Sequence, residues 1–233
     1  AVADELRLPH SAITLVMAIV HFAGLFARGV RPRVIRGDGM HYYVQLRSAV
    51  FDHDLDFEND YIGLYTLDFK TSVPPPGWTW TFERTPNGHV RNFMPVGPGV
   101  VWAPLFLVVT GATYLLSVAG LAYRPDGFGL AFQFVPDVCG VAAAGLAMWF
   151  AFLLARSLSG PRAALGATVA LLAGSPLIYY AIVAPAYSHA LSAMGASAFL
   201  LYWWNTRDRT NLGRYAAVGA LAGLTALIRW QDG

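Results

Sequence analysis

One carboxylate set between two glycines, Asp38 in Arg36-Gly-Asp-Gly-Met-His-Tyr-Tyr43, is the residue best placed to do chemistry in this chain. Glycine on either side permits an unusual backbone and leaves the acid unshielded, so Asp38 could take a proton from an incoming hydroxyl as a general base. The same position equally suits a helix N-cap, a role Asp fills often. Farther along come alternating acids, Asp52, Asp54, Asp56, Glu58 and Asp60. They resemble the start of a calcium loop, but Phe57 stands where that motif needs glycine. A solvated turn is therefore the first reading, and a divalent-metal site near Asp52, Asp54 and Asp56 the second; no other cofactor is expected. Four costly polar residues lie within apolar stretches: His21, Asp137, His189 and Arg229. His21 reads as a packed, hydrogen-bonded histidine. Arg229 has a fork that matches phosphate oxygens, and it shares with His189 a position close to the end of an apolar run.

The elements that must carry these residues follow from composition. The chain has 233 residues, 56% hydrophobic and only 13% charged, with a net charge of +2. Its mean hydropathy is +0.46. A soluble domain is typically about a quarter charged, so these values exclude a disordered tail, a water-soluble globule and a nucleic-acid binder built on a basic face. A single cysteine, Cys139, excludes an internal disulfide framework. The expected fold class is all-α, a polytopic transmembrane bundle of five or six spans with one long polar loop carrying surface helices. A span needs about 20 mostly apolar residues. The stretches that meet or approach this are Ser11–Ala27, Val100–Tyr123, Leu130–Ala155, Ala163–Val183, Ser188–Trp204 and Tyr215–Trp230. The expected division is 1–27 for the N-terminus and first span, 28–99 for the extramembrane loop and 100–233 for the bundle.

Tyr42, Leu46, Ala49 and Val50 fall at helical spacing within the loop, which predicts a short amphipathic helix lying on the membrane surface, with Asp38 near its start. Pro74-Pro-Pro-Gly-Trp-Thr-Trp80 predicts a stiff aromatic loop. Small residues in Gly140-Val-Ala-Ala-Ala-Gly145 and Gly219-Ala-Leu-Ala-Gly223 predict helix–helix contact faces. Basic residues flank the turns near Arg156 and Arg207 and are missing near Pro185, which puts the first two turns in the cytoplasm. Charge leaves two topologies. The polar loop shares the cytoplasmic side if Val100–Tyr123 crosses; it lies outside if that stretch dips and returns or lies along the surface.

Several of these segments, in this order, resemble bacterial membrane glycosyltransferases of the GT-C superfamily, relatives of protein O-mannosyltransferases and lipid A aminoarabinose transferases. The similarity is carried by Gly37–Tyr43, Leu46-Arg-Ser-Ala-Val-Phe-Asp52, Asp54-Leu-Asp-Phe57, Asn92-Phe-Met-Pro-Val-Gly-Pro-Gly99 with Trp102-Ala-Pro104, and Arg124-Pro-Asp-Gly127. It continues through Ser175-Pro-Leu-Ile-Tyr-Tyr180, Tyr187-Ser-His-Ala-Leu-Ser192 and Leu227-Ile-Arg-Trp-Gln231. The resemblance implies an integral protein of the bacterial inner membrane that moves a sugar from a polyprenyl-phosphate carrier to an acceptor. It also implies an extracytoplasmic first loop, a stretch Val100–Tyr123 that does not simply cross, and a catalytic Asp38. Arg36, His41, Tyr42, His189 and Arg229 are the candidate substrate contacts.

The implied partners are membrane lipid, the polyprenyl-phosphate sugar donor and other membrane subunits, with no nucleic acid. Members of that group are longer, with further spans after the Arg-Trp-Gln segment. The chain is therefore expected to be the N-terminal part of such an enzyme or a natural half of one. The alternative is a non-catalytic truncated relative that serves as a structural transmembrane subunit of a larger complex.

Overall fold

A computed structural model describes residues 7–29, 34–69 and 79–232 of the chain. Nine α-helices form among the described residues, with no strand beyond an isolated antiparallel bridge between Arg84 and Val90. In chain order they are α1 (Arg7–Ala27), α2 (Asp38–Arg47), α3 (Glu58–Phe69), α4 (Gly97–Val118), α5 (Leu130–Leu158), α6 (Pro161–Gly174), α7 (Leu177–Ile182), α8 (Ser188–Asn205) and α9 (Leu212–Ile228). The all-α class is as expected. The chain forms two compact units, one of residues 1–28 with 138–233 and the other of residues 29–137. Packing therefore groups α4 with the polar segment 29–99, and the division runs through α5.

In the unit of residues 29–137, α2 forms the centre. Gly39, Met40, His41, Tyr42, Tyr43, Val44, Leu46 and Arg47 are all buried. The expected amphipathic surface helix is thus a helix, but an enclosed one. Its many polar groups tolerate enclosure because they find partners, as described below. Tyr43 of α2 itself and Tyr61, Tyr65, Trp102, Phe106 and Phe132 are the largest fully enclosed side chains of this unit. Phe106 meets Tyr43 edge-on at 5.7 Å and Phe132 at 5.3 Å between ring centres, separations at which aromatic quadrupoles attract. Of the aromatic loop Pro74–Trp80, residues 74–78 lie outside the described residues, and Thr79–Phe82 forms one 3₁₀ turn.

In the other unit, α1 meets α7 where His21 Nδ1–H donates to the Ile182 carbonyl at 2.7 Å. His21 is indeed a packed, bonded histidine. The two small-residue runs behave differently. A Cβ on Gly140 would collide with the Pro185 carbonyl, and one on Gly145 with Thr14, so that run is a close-contact face. Gly219 and Gly223 have nothing within 4 Å of a Cβ. The close approach on α9 runs instead through Thr225, whose side chain packs on Gly195 of α8.

Among the described residues, two helices, α4 with 22 residues and α5 with 29, are long and apolar enough to cross a membrane. At 1.5 Å per residue α4 is about 33 Å long, against about 30 Å of hydrocarbon. Length and composition alone thus support two of the five or six expected spans. Ala163–Val183 breaks at Ser175–Pro176, where proline cannot continue the hydrogen-bond ladder, leaving α6 and the short α7. Ser11–Ala27 and Leu212–Ile228 are shorter apolar helices. α4 runs without interruption through Pro104, so the reversal that a dip within Val100–Tyr123 requires is missing. Its outward side chains are apolar: Leu115 and Val118 are 67% and 71% exposed.

The two glycine runs give opposite expectations for alanine. Gly140→Ala should destabilise by about 1–3 kcal/mol through overpacking against the Pro185 backbone. Gly219→Ala should be neutral or stabilising by up to about 1 kcal/mol, because alanine is the better helix former and meets open space. Thermal unfolding of the purified protein in detergent measures both, and equal effects would refute the packing described.

Candidate functional site

Asp38 is the first residue of α2, and Gly37 is the N-cap, with φ 53° and ψ −139°. Positive φ there explains the glycine, since a side chain would be strained. The capping role expected for Asp38 belongs to Gly37; the acid sits one position on, half-buried, at the helix end where backbone N–H groups favour negative charge. Arg47 occupies the last turn of the same helix, so both ends complement the macrodipole. Arg36 is exposed just before the cap.

His41 and Tyr42, expected as substrate contacts, sit within the packed interior of the unit. His41 is 4% exposed, and its Nδ1 and the Tyr61 hydroxyl share a hydrogen bond of 2.6 Å. Tyr42 presents its ring edge-on to Trp102 at 6.3 Å. The Asn92–Met94 segment ties to the same helix: the Asn92 side-chain Nδ2–H donates to the His41 carbonyl and Gln45 Nε2–H to the Met94 carbonyl, each at 2.8 Å. These residues hold α2 in place. Burial pushes the His41 imidazole down to about 4 and raises the Tyr61 hydroxyl well above its usual range.

The acid run is a set of internal ties. Arg47 Nη1–H donates to Asp52 Oδ2 and Asp60 Oδ1, each at 2.6 Å. Its Nε–H donates to the Asp126 carbonyl at 2.9 Å, and its guanidinium lies 4.0 Å from the centre of the Phe128 ring. Asp54 accepts from Ser48 Oγ–H at 2.8 Å and from the Asp56 N–H at 3.1 Å, bonds that hold its carboxyl below the usual range. Glu58 pairs with Arg84 at 2.6 Å. Arg47 thus serves Asp52 and Asp60 together while Asp54 faces Ser48 and Glu58 faces Arg84, and no group of three His, Cys, Asp or Glu side chains that could hold a metal ion occurs among the described residues. Asp60 is enclosed completely, and one of its oxygens, Oδ2, has no hydrogen-bond partner. Burial lifts its carboxyl to about 6 despite the Arg47 ion pair.

The remaining two candidates lie in the other unit. His189, in the first turn of α8, stacks on Tyr180 with ring centres 3.6 Å apart and 4° between planes. Its Nδ1 is buried without a hydrogen-bond partner. Arg229 follows α9 in extended conformation, with Nε–H 3.4 Å from Gln231 Oε1. Both Arg229 and Asp232 lie within electrostatic reach of His189, and Asp232 accepts a hydrogen bond from Ser192 Oγ–H. The sequence placed His189 and Arg229 each near the end of an apolar run, and it gave no sign of Ser192 and Asp232. It also missed Arg47, Asp60 and Tyr61. The available signal was a lone arginine in an otherwise uncharged helix turn, followed closely by excess acid.

Comparison of the chain with protein-family models, with curated proteins and with solved structures gives no match. The site's geometry is therefore the ground for a functional reading.

Two titrations with opposite linkage give a test of this packing. The lowered imidazole of His41 contributes stability that is complete above its ordinary 6.5 and lost as pH falls through about 4. The raised carboxyl of Asp60 contributes stability that is complete below 3.8 and lost as pH rises through about 6. The slopes oppose each other between about 4 and 6. His41→Gln should make the protein gain stability on acidification in that window, and Asp60→Asn should steepen the loss. Unfolding free energy measured across the window decides; identical slopes in both variants would show that neither group is perturbed as described.

Proposed function

We propose that this chain is a membrane-embedded glycosyltransferase, or its N-terminal part, that moves a sugar from a polyprenyl-phosphate carrier to an extracytoplasmic hydroxyl. The observation that carries this reading is Asp38: a half-buried carboxylate at the positive end of a helix most of whose other residues are locked in a packed unit. Asp38 takes the proton of the acceptor hydroxyl. The acceptor oxygen then forms the new bond to the anomeric carbon as the bond to the carrier oxygen breaks, and the carrier phosphate leaves with the electron pair. Arg36, two residues before Asp38, meets the developing negative charge on that phosphate. His189 and Arg229 supply a second cationic and aromatic position suited to an anionic headgroup. The membrane part of the reading is supported by the length and composition of α4 and α5 and by the apolar outer face of α4; with α4 unbroken, the extracytoplasmic position of the polar segment goes with α4 lying along the membrane surface.

A structural-subunit reading is favoured by one observation. Gly219 and Gly223 form an open small-residue face on α9, a surface on which another helix could pack closely.

Asp38→Asn separates the two. Sugar transfer from a polyprenyl-phosphate donor should fall by about 10²–10⁴-fold, the range of general-base effects, while unfolding stays unchanged. Undiminished transfer by a stable, inserted variant removes the proposed base. The loop side is read independently: Leu55→Cys in a Cys139→Ser background, at an exposed position of the polar segment, should react with an impermeant thiol reagent added from outside. Protection there, with reaction after membrane permeabilisation, would place the segment in the cytoplasm and exclude the proposed acceptor.

A further inference from the structure

A cavity of about 620 Å³ opens within the unit of residues 29–137, lined by α3, the C-terminal part of α4, the turn at 122–128 and the start of α5. Its volume is that of a small-molecule site. Leu67, Phe128, Leu130 and Phe132 make most of its wall apolar, and its two charged lining residues, Arg124 and Asp126, lie two positions apart on one turn. Asp38, His41 and Arg36 do not line it, so it is distinct from the proposed reaction site.

From this geometry we infer that the cavity binds one zwitterionic phospholipid, with the phosphate on Arg124, the ammonium on Asp126 and an acyl chain along the apolar wall. Among the described residues Arg124 has no ion-pair partner, and it is exposed, leaving its fork for phosphate oxygens. The Asp126 carboxylate also lacks an ion-pair partner; its Oδ1 accepts from the Phe128 N–H at 2.9 Å, and Arg47 engages only its backbone carbonyl. The two charges do not pair with each other, and together they complement a headgroup that carries both signs. A purely anionic head would meet the Asp126 carboxylate with nothing to offset it. A lipid is favoured over a soluble zwitterion by position. The cavity lies where one membrane-length helix ends and the next begins, beside exposed Leu121 and Tyr123, the residue types of a membrane interface. The inference rests on the membrane reading of α4 and α5 and is independent of sugar transfer.

The test uses the full chain, delipidated in detergent and titrated with dioleoyl phosphatidylethanolamine, dioleoyl phosphatidylglycerol or inorganic phosphate, with bound species counted by native mass spectrometry. One phosphatidylethanolamine should be retained with about tenfold preference over phosphatidylglycerol, equivalent to about 1.4 kcal/mol, and inorganic phosphate should not bind. Arg124→Ala should weaken phosphatidylethanolamine about tenfold, and Asp126→Asn should erase the preference. Ala131→Trp fills the cavity from an exposed lining position, so it should abolish binding while preserving the fold, even where the charge variants unfold. Equal retention of the two lipids, phosphate binding as tight as lipid, or full retention by Ala131→Trp would overturn the inference. Resistance of the protein to alkaline extraction from membranes is measured separately. Its loss would remove the membrane reading itself, whereas lipid indifference in an extraction-resistant protein would remove only this site.

Discussion

The polar half of the molecule depends on one buried guanidinium. Arg47 reaches two carboxylates, a backbone carbonyl and an aromatic face from a position that is 6% exposed. Removing an ion from water costs several kcal/mol, and only near-complete hydrogen bonding and pairing make such a burial tolerable. Arginine can supply that set because its donors are spread over a rigid planar fork that also stacks; a lysine ammonium could not lie flat on Phe128 while serving three oxygens. Two parts of the chain converge on it: the consecutive run from the end of α2 through the π-turn at Ser48–Asp52 to the start of α3, and the turn at 126–128, far along the chain. Gly127, at φ 79°, is required there, since a Cβ would come within 2.7 Å of the Arg47 Cγ.

That anchor determines what Asp38 can do. The two residues are the opposite ends of one ten-residue helix whose side chains are enclosed, so fixing Arg47 fixes the direction in which the N-terminus presents its carboxylate. A base held on a rigid element spends little of its effect on finding its geometry. His41 serves the same end from the middle of the helix, tied by its ring to Tyr61 and by its carbonyl to Asn92. The acids that look like a metal loop in the sequence are, in the folded chain, the counter-charges and turn caps of this framework.

What was legible in the sequence follows the range of the interactions involved. The start of a helix at Asp38, the bonded state of His21 and the close packing at Gly140 all rest on local spacing, and the fold has them. The enclosure of α2 was not legible, because Tyr42 and Leu46 mark one apolar face while the burial of the opposite face depends on partners such as Asn92 and Asp126, far along the chain. The break at Ser175–Pro176 carried its signal openly in the proline, although the apolar run around it reads as a single span. Among the candidate residues, Asp38 stood out by its glycines and, in the other unit, Arg229 by its charge in an apolar run. Asp60 and Asp232 looked like ordinary surface acids, since nothing adjacent in sequence announces that Arg47 or Ser192 will face them.

The most direct measurement is a double-mutant cycle on Arg47→Leu and Asp60→Leu, read by equilibrium unfolding in detergent together with amide exchange in α2. Arg47→Leu alone should cost about 3–5 kcal/mol by stranding a buried carboxylate, and the pair should couple strongly, with the double variant recovering much of that loss. Exchange along residues 40–47 should accelerate in the Arg47 variant and slow again in the pair. Additive effects within about 0.5 kcal/mol, with exchange in α2 unchanged throughout, would contradict the claim that this ion pair anchors the helix that presents Asp38.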